Sequence, residues 1–156
     1  MAIRAVIFRG KRTDNGKWVK GYLYITHIGS HEIGSYDAEI NIERLTFDVI
    51  PETVGQYTGL TDKNGKRIFE GDIVRATIER AERCQSPRIE NGVIGYDCIG
   101  MIGLILYKDK NGENVWSDFF NELSLSGLIE DYYFEIIGNI HDNPELLGGE
   151  NNGINR

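Results

Sequence analysis

The 156-residue sequence is poor in proline, cysteine and histidine, with three, two and three of each, and it has no long hydrophobic run. No segment approaches the roughly 20 apolar residues of a membrane-spanning helix. Met1 to Phe8 is too short an apolar run for a secretory signal and is broken by Arg4. Cys84 and Cys98 form no C-x-x-C pair and have no histidine beside them, which argues against a zinc site. Without an export signal they are expected to be free thiols in a reducing cytoplasm. His27 and His31 have the spacing of one helix face, but Gly29, Ser30 and Gly34 oppose a helix there, so loop histidines are expected rather than metal ligands. Positive charge is also short. Seventeen Lys and Arg face 24 Asp and Glu, a net charge of −7, which opposes binding to nucleic acid through clustered cations. Arg4, Arg9, Lys11, Arg12, Lys17 and Lys20 do concentrate positive charge near the N-terminus, where a solvated hairpin face is the expected reading.

Catalytic signatures are missing as well. The chain has no G-x-S-x-G elbow, no Walker loop and no dinucleotide fingerprint. Asp62 to Gly65 resembles the start of a calcium loop, but glycine comes at its fourth position instead of its sixth, and Ile73 stands where the twelfth-position Glu would be.

Glycine and aromatic residues are abundant: 19 glycines, eight tyrosines and six phenylalanines. With few prolines, this suits many short strands joined by tight turns. The Asn-Gly pairs that end at Gly16, Gly65 and Gly112 each predict a turn with positive φ. The first joins a strand within Ile3 to Phe8 to an alternating strand, Trp18 to Ile25, with Trp18, Lys20, Tyr22 and Tyr24 on one face. His27 to Asp37 reads as a loop or a short hairpin around Gly34-Ser35, Ala38 to Ile50 as strand with a turn or bulge near Glu43-Arg44 and ended by Pro51, and Glu79 to Gly92 as a long polar loop. Gly92 to Tyr107 is apolar but too rich in glycine for a helix; it suits bent strands at the corners of a small barrel. Ser117 is placed to cap one short helix, and Pro144 to Leu147 to fold two leucines onto the core.

The centre of the chain, Val54 to Val74, holds a glycine-rich bend, the Asp62-Lys63-Asn64-Gly65 turn, the pair Ile68-Phe69 and the Gly71-Asp72 break. This run closely resembles the signature of the YopX family, small proteins of phages and prophages. Ile136 to Leu147, with its Gly-Asn-Ile-His-Asp-Asn-Pro core, is similar to the same family's C-terminal motif, and Ile3 to Val6 with the following hairpin is a looser match. Glu79 to Gly112 carries no resemblance. The family has no established activity, so the resemblance implies a fold and a phage context and assigns no catalytic residue.

The expected fold is mainly β. An N-terminal β subdomain, 1–50, precedes a signature segment and small antiparallel, SH3-like β-barrel, 51–147, with a flexible tail, 148–156, and one or two short helices at most. The expected function is a non-enzymatic binding or adaptor module in the bacterial cytoplasm, without cofactor, metal or membrane. Its partner would be an unidentified protein or a second copy, since exposed strand edges favour pairing. The alternative is a nucleic-acid-associated protein or nuclease accessory, which a continuous basic stripe with exposed Tyr or Trp would favour. The candidate interaction residues are Gln56, Tyr57, Arg67, Glu70 and Asp72. The Glu70–Asp72 spacing would share one strand face and could hold a cation; turn bonding is the expected role. A metal-dependent hydrolase would need both to converge with further carboxylates or with His141.

Overall fold

The computed structural model describes residues 6–35, 46–80, 86–97, 101–108, 111–117 and 129–147. Within them the chain is mainly β, with eleven antiparallel strands and two short 3-10 turns, Pro51–Thr53 and Pro144–Leu147. It divides into two compact units, Met1–Gly59 and Leu60–Arg156.

In the first unit, β1 (Phe8–Lys11) pairs with β2 (Trp18–Ile25) around the Asp14-Asn15-Gly16 turn, in the register Arg9 opposite Lys20 and Lys11 opposite Trp18. Gly16 has φ 68°, as its Asn-Gly setting predicts. β2 then pairs with β3 (His31–Ser35), and β3 with β4 (Thr46–Asp48). The hairpin into β3 closes at Thr26 to Ser30, where Thr26 N donates to the Ser30 carbonyl at 2.9 Å. The loop expected over His27 to Asp37 is therefore strand over His31–Ser35. Gly34 is tolerated there because the Tyr24 ring covers it: a Cβ on Gly34 would sit 3.0 Å from Tyr24 Cε2.

Pro51 does not end the unit. It opens a 3-10 turn whose Thr53 Oγ1 accepts from Lys11 N at 2.8 Å, and β5 (Gly55–Thr61) then pairs with β1 through Gly55 and Gln56. The core of this unit is Val19, Ile33 and Val49, with Phe8, Leu23, Phe47 and Val54 against it.

β5 runs past Gly59 into the second unit and turns at Asp62–Lys66 into β6 (Arg67–Phe69). β7 (Asp72–Arg80), β8 (Arg88–Tyr96), β9 (Ile102–Lys108), β10 (Asn114–Trp116) and β11 (Ile129–Asn139) form a sheet of order β10-β9-β8-β7-β11. Among the described residues this sheet is open, with β10 and β11 at its edges, and not the closed barrel expected. The glycines read as barrel corners serve close packing instead: a Cβ on Gly103 would lie 2.5 Å from the Trp116 ring. The long loop expected from Glu79 is also shorter than predicted. β7 continues to Arg80 and β8 starts at Arg88, with Ile78 opposite Arg88. Arg88 and Glu90 take alternate positions of β8 and pair along it, Arg88 Nη2 lying 2.5 Å from Glu90 Oε1.

Ile68, Val74, Ala76, Ile94, Leu104 and Phe134 make the core of this unit. Leu146 and Leu147 remain 45% and 47% exposed, so the closing turn does not bury its two leucines as expected. The helix expected after Ser117, the tail from 148, and Cys84 and Cys98 lie outside the described residues.

Candidate functional site

The two stretches that resemble family motifs meet at one end of the second unit's sheet. Asp72, at the start of β7, stands opposite Asn139 at the end of β11, and Ile140 N donates to the Gly71 carbonyl at 3.0 Å. Lys63 N donates to the Phe134 carbonyl at 2.8 Å, so the Asp62 turn lies along the outer edge of β11.

The polar side chains of both stretches bond backbone. Asp62 Oδ1 accepts from Asn64 N at 2.9 Å and from Lys66 N at 2.8 Å. Gly65, with φ 78°, completes that turn. Asn139 Oδ1 accepts from His141 N at 2.9 Å and from Asp142 N at 3.0 Å, and Asn143 N donates back to the Asn139 carbonyl at 2.9 Å. These contacts shape turns, and they account for the Asp, Asn and Gly of both blocks without a ligand.

Asp62 gives this turn a pH dependence. Burial pushes its carboxyl up, but the N–H groups of Lys66, Asn64 and Ile136, with the Lys66 charge, outweigh that and hold it below its ordinary value. A group depressed in the folded state stabilises fully above the unfolded value of about 3.9. That contribution is lost as pH falls through the folded pKa. Asp62→Asn is therefore expected to be less stable at neutral pH and to show a shallower acid loss below about pH 4. Urea melts across the acid range check this, and equal acid slopes for parent and variant would refute it.

The five predicted interaction residues are divided between the two units. Gln56 and Tyr57 lie on β5 in the first unit; Gln56 is opposite Phe8, and Tyr57 N donates to the Ile7 carbonyl at 2.7 Å. Arg67 is exposed at the start of β6, and Glu70 is half-buried in the turn after it. Asp72 is 2% exposed, and its Oδ2 accepts from Phe69 N at 2.8 Å. It therefore bonds the turn; Glu70 lies in that turn, so the shared strand face that their spacing suggested is not formed. Among the described residues no three His, Cys, Asp or Glu side chains come together in a way that could hold a metal, His141 included.

Two other polar features bond within the fold. A shallow cleft of about 380 Å³ in the first unit is lined by Thr13, Ser30, His31, Asp48, Val49 and Pro51. Its polar atoms bond locally: Ser30 Oγ to Thr26 Oγ1 at 2.6 Å, and His31 Nδ1 to the Gly29 carbonyl at 3.2 Å. In the second unit the Ser117 hydroxyl donates to Glu90, but Glu90 also carries the Arg88 guanidinium, and the contact ties β8 to the end of β10.

The feature with binding chemistry is the open face of β1 and β2. Alternation along β2 turns Val19 and Leu23 to the core and Trp18, Lys20, Tyr22 and Tyr24 to the other side. The register with β1 places Arg9 beside Lys20 and Lys11 beside Trp18 on that same side. The Arg9 guanidinium lies 4.8 Å from the Trp18 ring centre and the Lys11 ammonium 5.5 Å from it, both within cation–π range. Arg9 is 9% exposed, whereas Tyr22 and Tyr24 are 47% and 43% exposed. Glu32, opposite Tyr24, and Asp48, opposite Glu32, mark the acidic far side of the face. Arg12 belongs elsewhere: it pairs with Asp14 at 2.5 Å and stacks 3.9 Å over Phe47.

In the sequence the alternating face and the basic N-terminus are separate features, and the latter suits a solvated surface. The hairpin register joins them. Charge per unit changes the picture too. Residues 1–59 hold seven Lys or Arg and seven Asp or Glu, so the whole −7 belongs to residues 60–156. No helix is long and apolar enough to cross a membrane among the described residues. The chain has no match among curated proteins. Residues 7–148, which include both turn-forming blocks and the β1–β2 face, match the family described as YopX protein, and the chain therefore belongs to the YopX family.

Proposed function

We propose that this chain is a non-enzymatic binding module of a phage or prophage, acting in the host cytoplasm through the open face of the β1–β2 hairpin. The observation that carries the reading is the two-faced sheet of the first unit: one side buries Val19 and Ile33, and the other displays Tyr22, Tyr24 and Lys20. Exposed aromatic rings beside cations give a surface contact area at low conformational cost. Asp62 and Asp72 give their carboxylates to turn backbone and Glu135 gives its own to Lys63 and Arg75, which supports a binding role over a catalytic one. The phage context rests on the nature of the family.

The test is affinity capture from phage-infected lysate using the tagged parent and a Lys20→Ser/Tyr22→Ser/Tyr24→Ser variant of matched thermal stability. The reading expects the macromolecules held by the parent to be lost from the variant. An unchanged captured set would place the contact surface elsewhere and overturn it.

A further inference from the structure

We infer that the ligand of the β1–β2 face is single-stranded nucleic acid, an inference that rests on the reading of that face as the binding surface. Three observations carry it. The exposed rings of Tyr22 and Tyr24 project from alternate positions of one strand, about 6.7 Å apart along it. That step suits successive bases of an extended strand, each stacking on a ring, and stacking needs no particular sequence. The cations line the same two strands. Lys20 is exposed on β2 between Trp18 and Tyr22, while Lys11 and Arg9 flank the Trp18 ring from β1. All make contacts within the fold, so phosphates would add to or exchange with these. Finally, the first unit is neutral as a whole, so its basic hairpin is not outweighed within its own unit.

Glu32 and Asp48 set the limit of the path. They repel phosphate from the β3–β4 side, so the strand is confined to β2 and β1, with bases toward the tyrosines and backbone toward Lys20 and Lys11. A duplex fits less well, because its bases are already stacked on one another and their faces are closed to Tyr22 and Tyr24. With two or three phosphates neutralised, the logarithm of affinity falls with the logarithm of salt at a slope of about −1.4 to −2 for a single strand. Binding weakens roughly 7- to 20-fold between about 50 and 200 mM salt.

Fluorescence anisotropy of labelled oligothymidylate and oligouridylate, each of about 16 nucleotides, on the full chain tests this, with a duplex of equal length as control. Expected are binding of at least one single strand, weaker binding of duplex, and the stated salt slope. Tyr22→Ala weakens binding roughly tenfold, and Tyr22→Phe, which keeps the ring, does not. Lys20→Gln makes the slope shallower by about 0.7. Equal loss in Tyr22→Phe and Tyr22→Ala, or no binding of either single strand at low salt, overturns the inference. If the oligonucleotides fail while capture of a nuclease-resistant protein still depends on Lys20, Tyr22 and Tyr24, the inference falls and the binding-module reading stands. If that capture also ignores the face, both fall.

Discussion

Gly21→Ala is expected to destabilise the first unit severely. Gly21 lies in the middle of β2, opposite Ser35, and a Cβ built on it would stand 1.7 Å from the Gly34 carbonyl oxygen. That oxygen is backbone, so no side-chain rotation relieves the clash; β2 and β3 must separate or shift register. A shift by one residue would turn Val19 and Leu23 away from Ile33 and expose the core. The cost belongs with the large values for single substitutions, more than about 4 kcal/mol. Typical domains are stable by only about 5–15 kcal/mol. At about 4–8 °C per kcal/mol for a unit of this size, the thermal midpoint should fall by more than about 15 °C. The two tryptophans make this measurable, since Trp18 reports on the first unit and Trp116 on the second. In a Trp116→Phe background, the Trp18 emission transition should move to much lower temperature. A midpoint within about 2 °C of the parent, well under the shift expected for 1 kcal/mol, would mean that the close approach of Gly21 and Gly34 is wrong.

The second large effect is expected at Asp72. Its carboxylate is buried and accepts the N–H of Phe69, itself a buried residue, at 2.8 Å. Asp72→Ala leaves that N–H without its acceptor and removes side-chain volume from a packed site. The unsatisfied donor alone costs about 1–3 kcal/mol, and the void adds to it. Gly71 before it holds φ 81°, so the turn cannot easily relax to supply another acceptor. Asp72→Asn keeps an oxygen in place and should recover most of the loss. Urea midpoints of the three proteins test this ordering. A cation role would behave differently, with both variants losing any stabilisation by added calcium or magnesium. Alanine matching the parent in stability would refute the structural role.

Local chemistry was the most legible part of the sequence. The turns at Gly16, Gly65 and Gly112 were readable because an Asn-Gly pair shortly after an Asp favours a tight turn, and all three glycines have positive φ, whereas Asn91-Gly92, with no Asp before it, lies inside β8. The alternation of Trp18, Lys20, Tyr22 and Tyr24 was readable for the same reason: it needs only neighbours in sequence. What escaped depends on partners far along the chain. β3 was hidden because Gly34 looks like a loop residue until Tyr24 from another strand covers it. Barrel closure was expected from glycine-rich strands, yet Gly92, Gly95 and Gly103 accommodate Ile105 and Trp116. Gly71 redirects the backbone, and so Asp72 turns toward Phe69 instead of sharing a face with Glu70. The binding face fell between the two cases. Its β2 half was visible, and its β1 half awaited the register that sets Arg9 beside Lys20.

The pairing of Asp72 with Asn139 has a consequence for synthesis on the ribosome. The strands β1 to β4 and most of β5 have left the exit tunnel once residue 59 has, and the first unit can fold while the rest is being made. The second unit cannot. Its β7 acquires β8 early but receives β11 only after residue 139 has emerged. Until then one edge of β7 lacks its strand partner, and the central motif stays incomplete even though it was translated long before. The nascent protein thus passes through an interval in which its hairpin face is formed and its second sheet is not. In that interval the surface assigned to ligand binding is available before the protein is finished.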